Sequence, residues 1–143
     1  MRLQDSGTLF LAIVPIISSR WALSMSAIKL TLISHHTQAG MPYQHLHFDL
    51  TTPDRLIEPA DLRAIEFPTD VQWKQGVAIE GRGPIWLYGY LVHECHPAAW
   101  VGCYDTRLGI VVVSTHTQSV AVGQVLPIDL PPEAMPIAKS LPN

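Results

Sequence analysis

The stretch over residues 81–116 constrains the fold most, because it contains the signals that delimit a turn, a helix and a β-hairpin. A Gly-Arg-Gly-Pro turn leads into an apolar segment, and Pro97 ends that segment because proline cannot continue a helix. Two apolar runs then flank a turn from Asp105 to Gly109, which is typical of a hairpin. The pattern predicts a helix over 84–95 and strands over 99–104 and 110–115.

Before this stretch, apolar and polar residues alternate with the period of half-buried strands. They predict strands over 27–34 and 44–50, a short helix over 59–65 and a buried strand over 76–80. A closing strand is expected over 125–130. We therefore expect an α/β fold, formed by one compact domain over residues 25–131, with a mixed β-sheet and two main helices.

The two ends of the chain are expected to lie outside this domain. The apolar run over 8–18 is too short to span a bilayer and is interrupted by Pro15. A signal peptide is the alternative, but its basic leader and cleavage site are missing. We expect translation to start at Met25 and residues 1–24 to be a non-native extension or a disordered apolar segment. Residues 132–143, rich in proline and alanine, are expected to form a flexible tail.

Composition limits the classes of partner. Of the 143 residues, 48% are hydrophobic and 15% are charged, where roughly a quarter charged is usual, so some apolar surface is expected to be buried by another subunit. The net charge of −3 and the lack of a basic run argue against long nucleic acid as the main ligand. No membrane association is expected. Cys95 and Cys103 are too few for a disulfide framework or a zinc cage, which favours a reducing compartment such as the cytoplasm.

The turn before the helix is a candidate phosphate site. Gly81 and Gly83 allow a close backbone approach, and the free N–H groups of a helix N-terminus attract anions. Arg82 adds a guanidinium fork. The alternative is a tight turn with a solvated arginine, and a Gly-Arg-Gly tripeptide alone does not decide between them.

The hairpin brings other candidates into two groups. If its strands pair directly across the turn, His116 returns close to His96, at the end of the helix. Asp105 and Arg107 then lie roughly 20 Å away, at about 3.3 Å per residue. A site that uses all four residues would have to be completed by a second subunit stacked end to end.

A separate pair, His45 and His47, shares one face of a predicted strand and has the spacing to chelate a metal. No third ligand lies nearby in the sequence. The expectation is therefore the solvated face of an edge strand.

These motifs together resemble a known family. GRGPIWL over 81–87, the helix end around His93 and His96, YDTRLG over 104–109 and the VVVST before His116 are similar to the small stand-alone CRISPR-associated ring nucleases, the third such family described. That family degrades the cyclic tetra-adenylate messenger of type III CRISPR systems. The resemblance runs from Ser34 onward and is closest over 81–116.

The resemblance implies a fold distantly like the Rossmann-type domains that sense cyclic oligonucleotides. It also implies a homodimer that forms a tetramer around the ligand, and manganese-dependent cleavage. His96, Asp105 and His116 match the family's catalytic and metal positions. Arg107, with Arg82, Gly81 and Gly83, would bind the substrate.

Several alternatives remain open at this point. Asp105 would bind Mn²⁺ or act as a general base, and the two histidines would bind metal or move protons, since histidine changes charge near neutral pH. The attacking group would be water or a ribose 2′-OH. Other readings are a manganese-dependent 3′ exoribonuclease that removes adenylates, a non-catalytic sensor of the messenger, and a structural oligomer.

Overall fold

Six strands form one sheet whose spatial order follows the chain, in a computed structural model that describes residues 26–135. The strands are β1 (Ile28–His36), β2 (Pro42–Leu50), β3 (Gly76–Gly81), β4 (Trp100–Asp105), β5 (Gly109–Thr115) and β6 (Val125–Leu126). One α-helix, α1 (Ile85–Glu94), connects β3 to β4. Two 3₁₀ helices are formed by Pro59–Ala64 and Pro132–Ala134.

The sheet is mixed. Strands β2, β3 and β4 run parallel, while β1, β5 and β6 pair antiparallel with their neighbours. The connections from β2 to β3 and from β3 to β4 are crossovers in the same direction along the sheet. When both have the strongly preferred right-handed sense, they lie on the same face of the sheet. Accordingly, α1 and the segment with the first 3₁₀ helix pack against the same hydrophobic cluster. The predicted α/β class and mixed sheet are confirmed.

Each face of the sheet has its own apolar cluster, because alternate residues of a strand point to opposite sides. On the helix face, Leu46, Phe48 and Ile79 pack against Leu87 and Leu91 of α1. The opposite face is covered by the segment after β5. There Tyr43, Trp100, Ile110 and Val112 contact Val120, Leu126 and Ile128.

Two elements differ from the sequence prediction. The first predicted helix is a 3₁₀ helix. The closing strand ends at Leu126, because Pro127 has no amide hydrogen to extend the ladder. Part of the apolar surface of α1 is open in this chain, since Ile85 is 86% exposed and only Leu87 and Leu91 of the helix are fully buried.

At the ends of the domain, Pro132–Ala134 begins the predicted tail and has Ala134 buried. The predicted extension over 1–24 and the remainder of the tail lie outside the described residues. Within residues 26–135, no helix is long and apolar enough to cross a membrane. Both cysteines are free thiols, and burial raises the pKa of Cys95 to about 12, so that this thiol is unreactive.

Candidate functional site

The predicted residues fall at two opposite edges of the sheet. We call residues 81–83 with Asp105 and Arg107 the arginine edge, and His96 with His116 the histidine pair. The arginine edge lies at the carboxyl ends of β3 and β4, which are parallel neighbours through the pairing of Ile79 with Cys103. The carboxyl ends of parallel strands are where open α/β sheets bind ligands.

Asp105 organises the turn at this edge. Its Oδ1 accepts hydrogen bonds from the backbone N–H groups of Arg107 (2.8 Å) and Leu108 (3.1 Å). The Nε of Arg107 lies 3.5 Å from the same oxygen. These contacts, led by the Arg107 backbone N–H, lower the pKa of Asp105 below its ordinary value. Asp105 is therefore an anion at neutral pH, and the exposed guanidinium of Arg107 projects beside it.

The glycine-rich turn before α1 reaches the same edge. A Cβ on Gly81 would lie 2.7 Å from the Phe48 ring, and one on Gly83 would lie 2.8 Å from it. Close packing on Phe48 thus explains why both positions are glycine, where the sequence suggested backbone approach to a ligand. Arg82, between them, is exposed. The turn and the hairpin tip together place two guanidinium groups at one edge.

The histidine pair lies at the other end of α1 and β4. The two rings are 5.5 Å apart between centroids, in an edge-to-face arrangement at 87°. The Nε2–H of His116 donates to the backbone oxygen of His96 (3.0 Å), which leaves Nδ1 with a free lone pair. An imidazole oriented by a carbonyl in this way is arranged as a metal ligand or proton acceptor.

The hairpin register agrees with the pairing assumed from the sequence near the turn, but a β-bulge between Val101 and Gly102 shifts it by one residue toward His116. Tyr104 pairs with Ile110, and the N–H of His116 donates to the oxygen of Ala99 (2.8 Å). The length of β4 therefore separates Asp105 from His116 within one chain. In the described part of the chain, no three His, Cys, Asp or Glu side chains are arranged to hold a metal ion.

A third polar group occupies the face of the sheet opposite α1. His45 Nε2 and His47 Nδ1 lie 2.9 and 2.8 Å from the same oxygen of Glu80, and the Tyr43 hydroxyl lies 3.0 Å from His45 Nδ1. Since a carboxylate can only accept, both histidine nitrogens that face Glu80 carry hydrogen, and in the neutral His45 ring Nδ1 accepts from Tyr43. His45 is fully buried.

This arrangement corrects the expectation for His45 and His47. Strand β2 is internal, between β1 and β3, so the pair is not the solvated face of an edge strand. Burial alone would raise the pKa of Glu80, but the hydrogen bonds from His45 and His47 lower it to about 2. The bond to Glu80 in turn raises the pKa of His47.

Sequence reasoning missed Glu80 because its partners are far away in the chain. The parallel register of β2 and β3 places Glu80 opposite His47. The available signal was a charged residue at the end of an otherwise buried strand, which requires a partner.

Comparison with known proteins decides the family. The model of the CRISPR-associated protein family Cas_csx3 matches residues 50–127, more than half of the chain. The chain belongs to the Cas_csx3 family. An uncharacterized protein of Aquifex aeolicus (strain VF5) is 45% identical over 76 residues, which cover 50% of this chain and 68% of that protein. The matched region of this Cas_csx3 family member includes both the arginine edge and the histidine pair.

Proposed function

We propose that this Cas_csx3 family member is a ring nuclease: a metal-dependent phosphodiesterase that binds and cleaves cyclic tetra-adenylate and so switches off type III CRISPR signalling. The observation that carries the proposal is the arrangement of an acid-and-arginine turn at the tip of the hairpin and a histidine pair near its other end. Membership of a CRISPR-associated family makes a CRISPR messenger the first substrate to test.

The charge distribution supports a small anionic ligand. Arg82 and Arg107 are both exposed at one sheet edge, and the first amides of α1 point toward that edge. Two guanidinium groups suit a few phosphates, whereas a long strand would require a basic track.

The site would be completed between protomers. If two chains meet end to end, the arginine edge of one faces the histidine pair of the other, and a ring-shaped ligand lies between them. Two antiparallel chains that form this contact twice make a dimer, and head-to-tail contacts repeated around a closed ring make a tetramer around the ligand.

The side chains present fit a Mn²⁺ ion only across that interface. Asp105 of one protomer and the oriented Nδ1 of His116, with His96, of a second would hold it. Carboxylate and imidazole are ligands that manganese accepts. When bound, the ion would stabilise the negative charge that develops on the phosphate.

The remaining chemistry is proton transfer. Whether water or a ribose 2′-OH attacks phosphorus, the attacking oxygen loses its proton to a base and the departing oxygen gains a proton. Whichever of His96 and His116 does not ligate the metal is the group suited to this exchange. Attack by water leaves a phosphate on a linear product, and attack by a ribose 2′-OH leaves a 2′,3′-cyclic phosphate, so the products distinguish the two routes.

The test is incubation of the full chain with Mn²⁺ and cyclic tetra-adenylate, followed by chromatography of the products. Conversion to linear adenylates is expected, and replacing His116 with alanine should remove most turnover. The matched control is His36→Ala, which changes another exposed histidine on β1. An intact ring after prolonged incubation with metal would refute the enzyme, and binding without any product would favour a sensor.

A further inference from the structure

The turn that carries Arg82 is fixed by one hydroxyl group from α1. The Tyr88 O–H donates to the backbone oxygen of Gly81 at 2.7 Å. Burial raises the pKa of Tyr88 to about 12, so this hydroxyl keeps its hydrogen throughout the physiological range. The bond spans the turn, because Tyr88 lies one helical turn beyond the start of α1.

The Tyr88 ring supports the same turn through Phe48. The two rings meet edge to face, with centroids 5.1 Å apart. Phe48 in turn fills the space next to Gly81 and Gly83, on both sides of Arg82. One aromatic pair therefore contacts the residues before and after the arginine.

The strand before the turn is held independently from the opposite face. Glu80 is bonded to His45 and His47, and this fixes the end of β3. That anchor ends one residue before Gly81. Gly81, the last residue of β3, pairs with Phe48 in the sheet, and the Tyr88 bond is the side-chain hydrogen bond that acts on its backbone, from which Arg82 leaves the sheet.

We propose that Tyr88 is a positioning residue, which holds residues 81–83 in the conformation that lets Arg82 and the neighbouring amides bind phosphate. This inference rests on the proposed function of the turn. Tyr88 does not contact the substrate in this scheme. It holds the turn in its binding conformation, and this lowers the entropic cost of ordering the turn when phosphate binds.

The chain offers a matched control on the same helix. Tyr88→Phe keeps the ring and removes the hydroxyl. Tyr90→Phe makes the same change at a tyrosine that lies near Glu94 and away from the turn. Inorganic phosphate is titrated into each full-length protein, and the amide signals of residues 81–83 are followed by NMR.

We expect Tyr88→Phe to weaken phosphate binding about fivefold, as for the loss of one hydrogen bond, and Tyr90→Phe to leave it unchanged. In an Arg82→Ala background the Tyr88 change should have a smaller effect, since part of its action passes through the arginine. With cyclic tetra-adenylate as substrate, the effect should fall on KM and not on kcat. Equal binding by the two tyrosine variants, or full additivity with Arg82→Ala, would overturn the inference.

The phosphate titration also separates this inference from the function itself. If wild type fails to cleave the cyclic messenger but phosphate shifts the turn signals and Tyr88→Phe weakens that binding, the positioning role stands and the ring nuclease proposal fails. If cleavage is observed and Tyr88→Phe binds phosphate like Tyr90→Phe, the ring nuclease proposal stands and the positioning role fails.

Discussion

Asp105 combines a structural role and a proposed chemical role that one substitution can separate. The turn needs only an acceptor, since Oδ1 takes the two backbone N–H groups of Arg107 and Leu108. The chemistry needs a negative charge, whether the group holds Mn²⁺ or accepts a proton. An asparagine side chain keeps the acceptor oxygen and lacks the negative charge.

Asp105→Asn should therefore unfold at the same urea concentration as wild type, while its turnover of cyclic tetra-adenylate falls by about 100-fold or more. Asp105→Ala should lose both turnover and part of the stability, because the two amides lose their acceptor. Denaturation curves and product assays on the same samples measure this. Full turnover in the asparagine variant would remove Asp105 from the chemistry.

Glu80 ties the pH dependence of stability to His47. The folded-state pKa of His47 is raised, so its stabilising contribution is complete below the unfolded value near 6.5 and is lost as pH rises through the folded value. The pKa of Glu80 is lowered to about 2, so its contribution is present above about 4.5 and is lost as pH falls toward 2.

Glu80→Gln keeps the acceptor oxygen and removes the charge. Between pH 4.5 and 6.5 the free energy of unfolding of this variant should be about 2 kcal/mol lower than that of wild type, as for hydrogen bonds to a charged group. The difference from wild type should shrink as pH rises above 6.5. Urea denaturation over pH 5 to 9 measures it, and the exposed Glu66→Gln is the control. A difference that stays constant over this range would contradict the assigned link to His47.

The same residues show how far sequence reasoning reaches at a site. Asp105 and His116 could be placed correctly because both lie on one hairpin, whose register follows from a local turn. Glu80 could not be joined to His45 and His47, because their contact depends on a parallel pairing between strands separated by a long crossover. Local periodicity contains no information about that register.

Among the secondary-structure elements, two glycines differ in the space around them, although both lie within regular structure. Gly76 opens β3 against the Trp100 indole, and a Cβ there would overlap the ring. Gly89 lies in α1 with open space around it. The first is required by packing between strands, and the second only weakens the helix.

Gly76→Ala should lower the free energy of unfolding by about 3 kcal/mol, because the indole or the strand must move. Gly89→Ala should raise it by about 0.5–1 kcal/mol, since alanine favours the helix more than glycine does. Thermal or urea denaturation of both variants gives the comparison. Destabilisation by Gly89→Ala would indicate that this face of α1 is in contact with another molecule.

Elements with a strong local pattern were predictable, namely the first five strands and α1. The first 3₁₀ helix was not distinguishable from an α-helix, because Pro59 and Asp61 suit the start of either. The closing strand was overestimated because its apolar pattern continues past Pro127, where the hydrogen-bond ladder stops.

At the scale of the whole molecule, α1 and β4 link the two edges. Helix α1 starts beside the arginine edge and ends near His96, and β4 returns from there to Asp105. One rigid unit thus presents unlike surfaces at its two ends. Under the proposed function, a unit of this kind builds a complete site only where opposite ends of two chains meet.

Mixing two inactive variants tests this arrangement. Asp105→Ala retains an intact histidine pair, and His116→Ala retains an intact arginine edge. When equal amounts associate at random, one half of the edges and one half of the histidine pairs are intact, so about a quarter of the interfaces combine both, and about a quarter of wild-type turnover should return. If each site were formed within one chain, every chain in the mixture would lack one essential residue. The mixture would then remain as inactive as its components, and the proposal of a site shared between protomers would have to be abandoned.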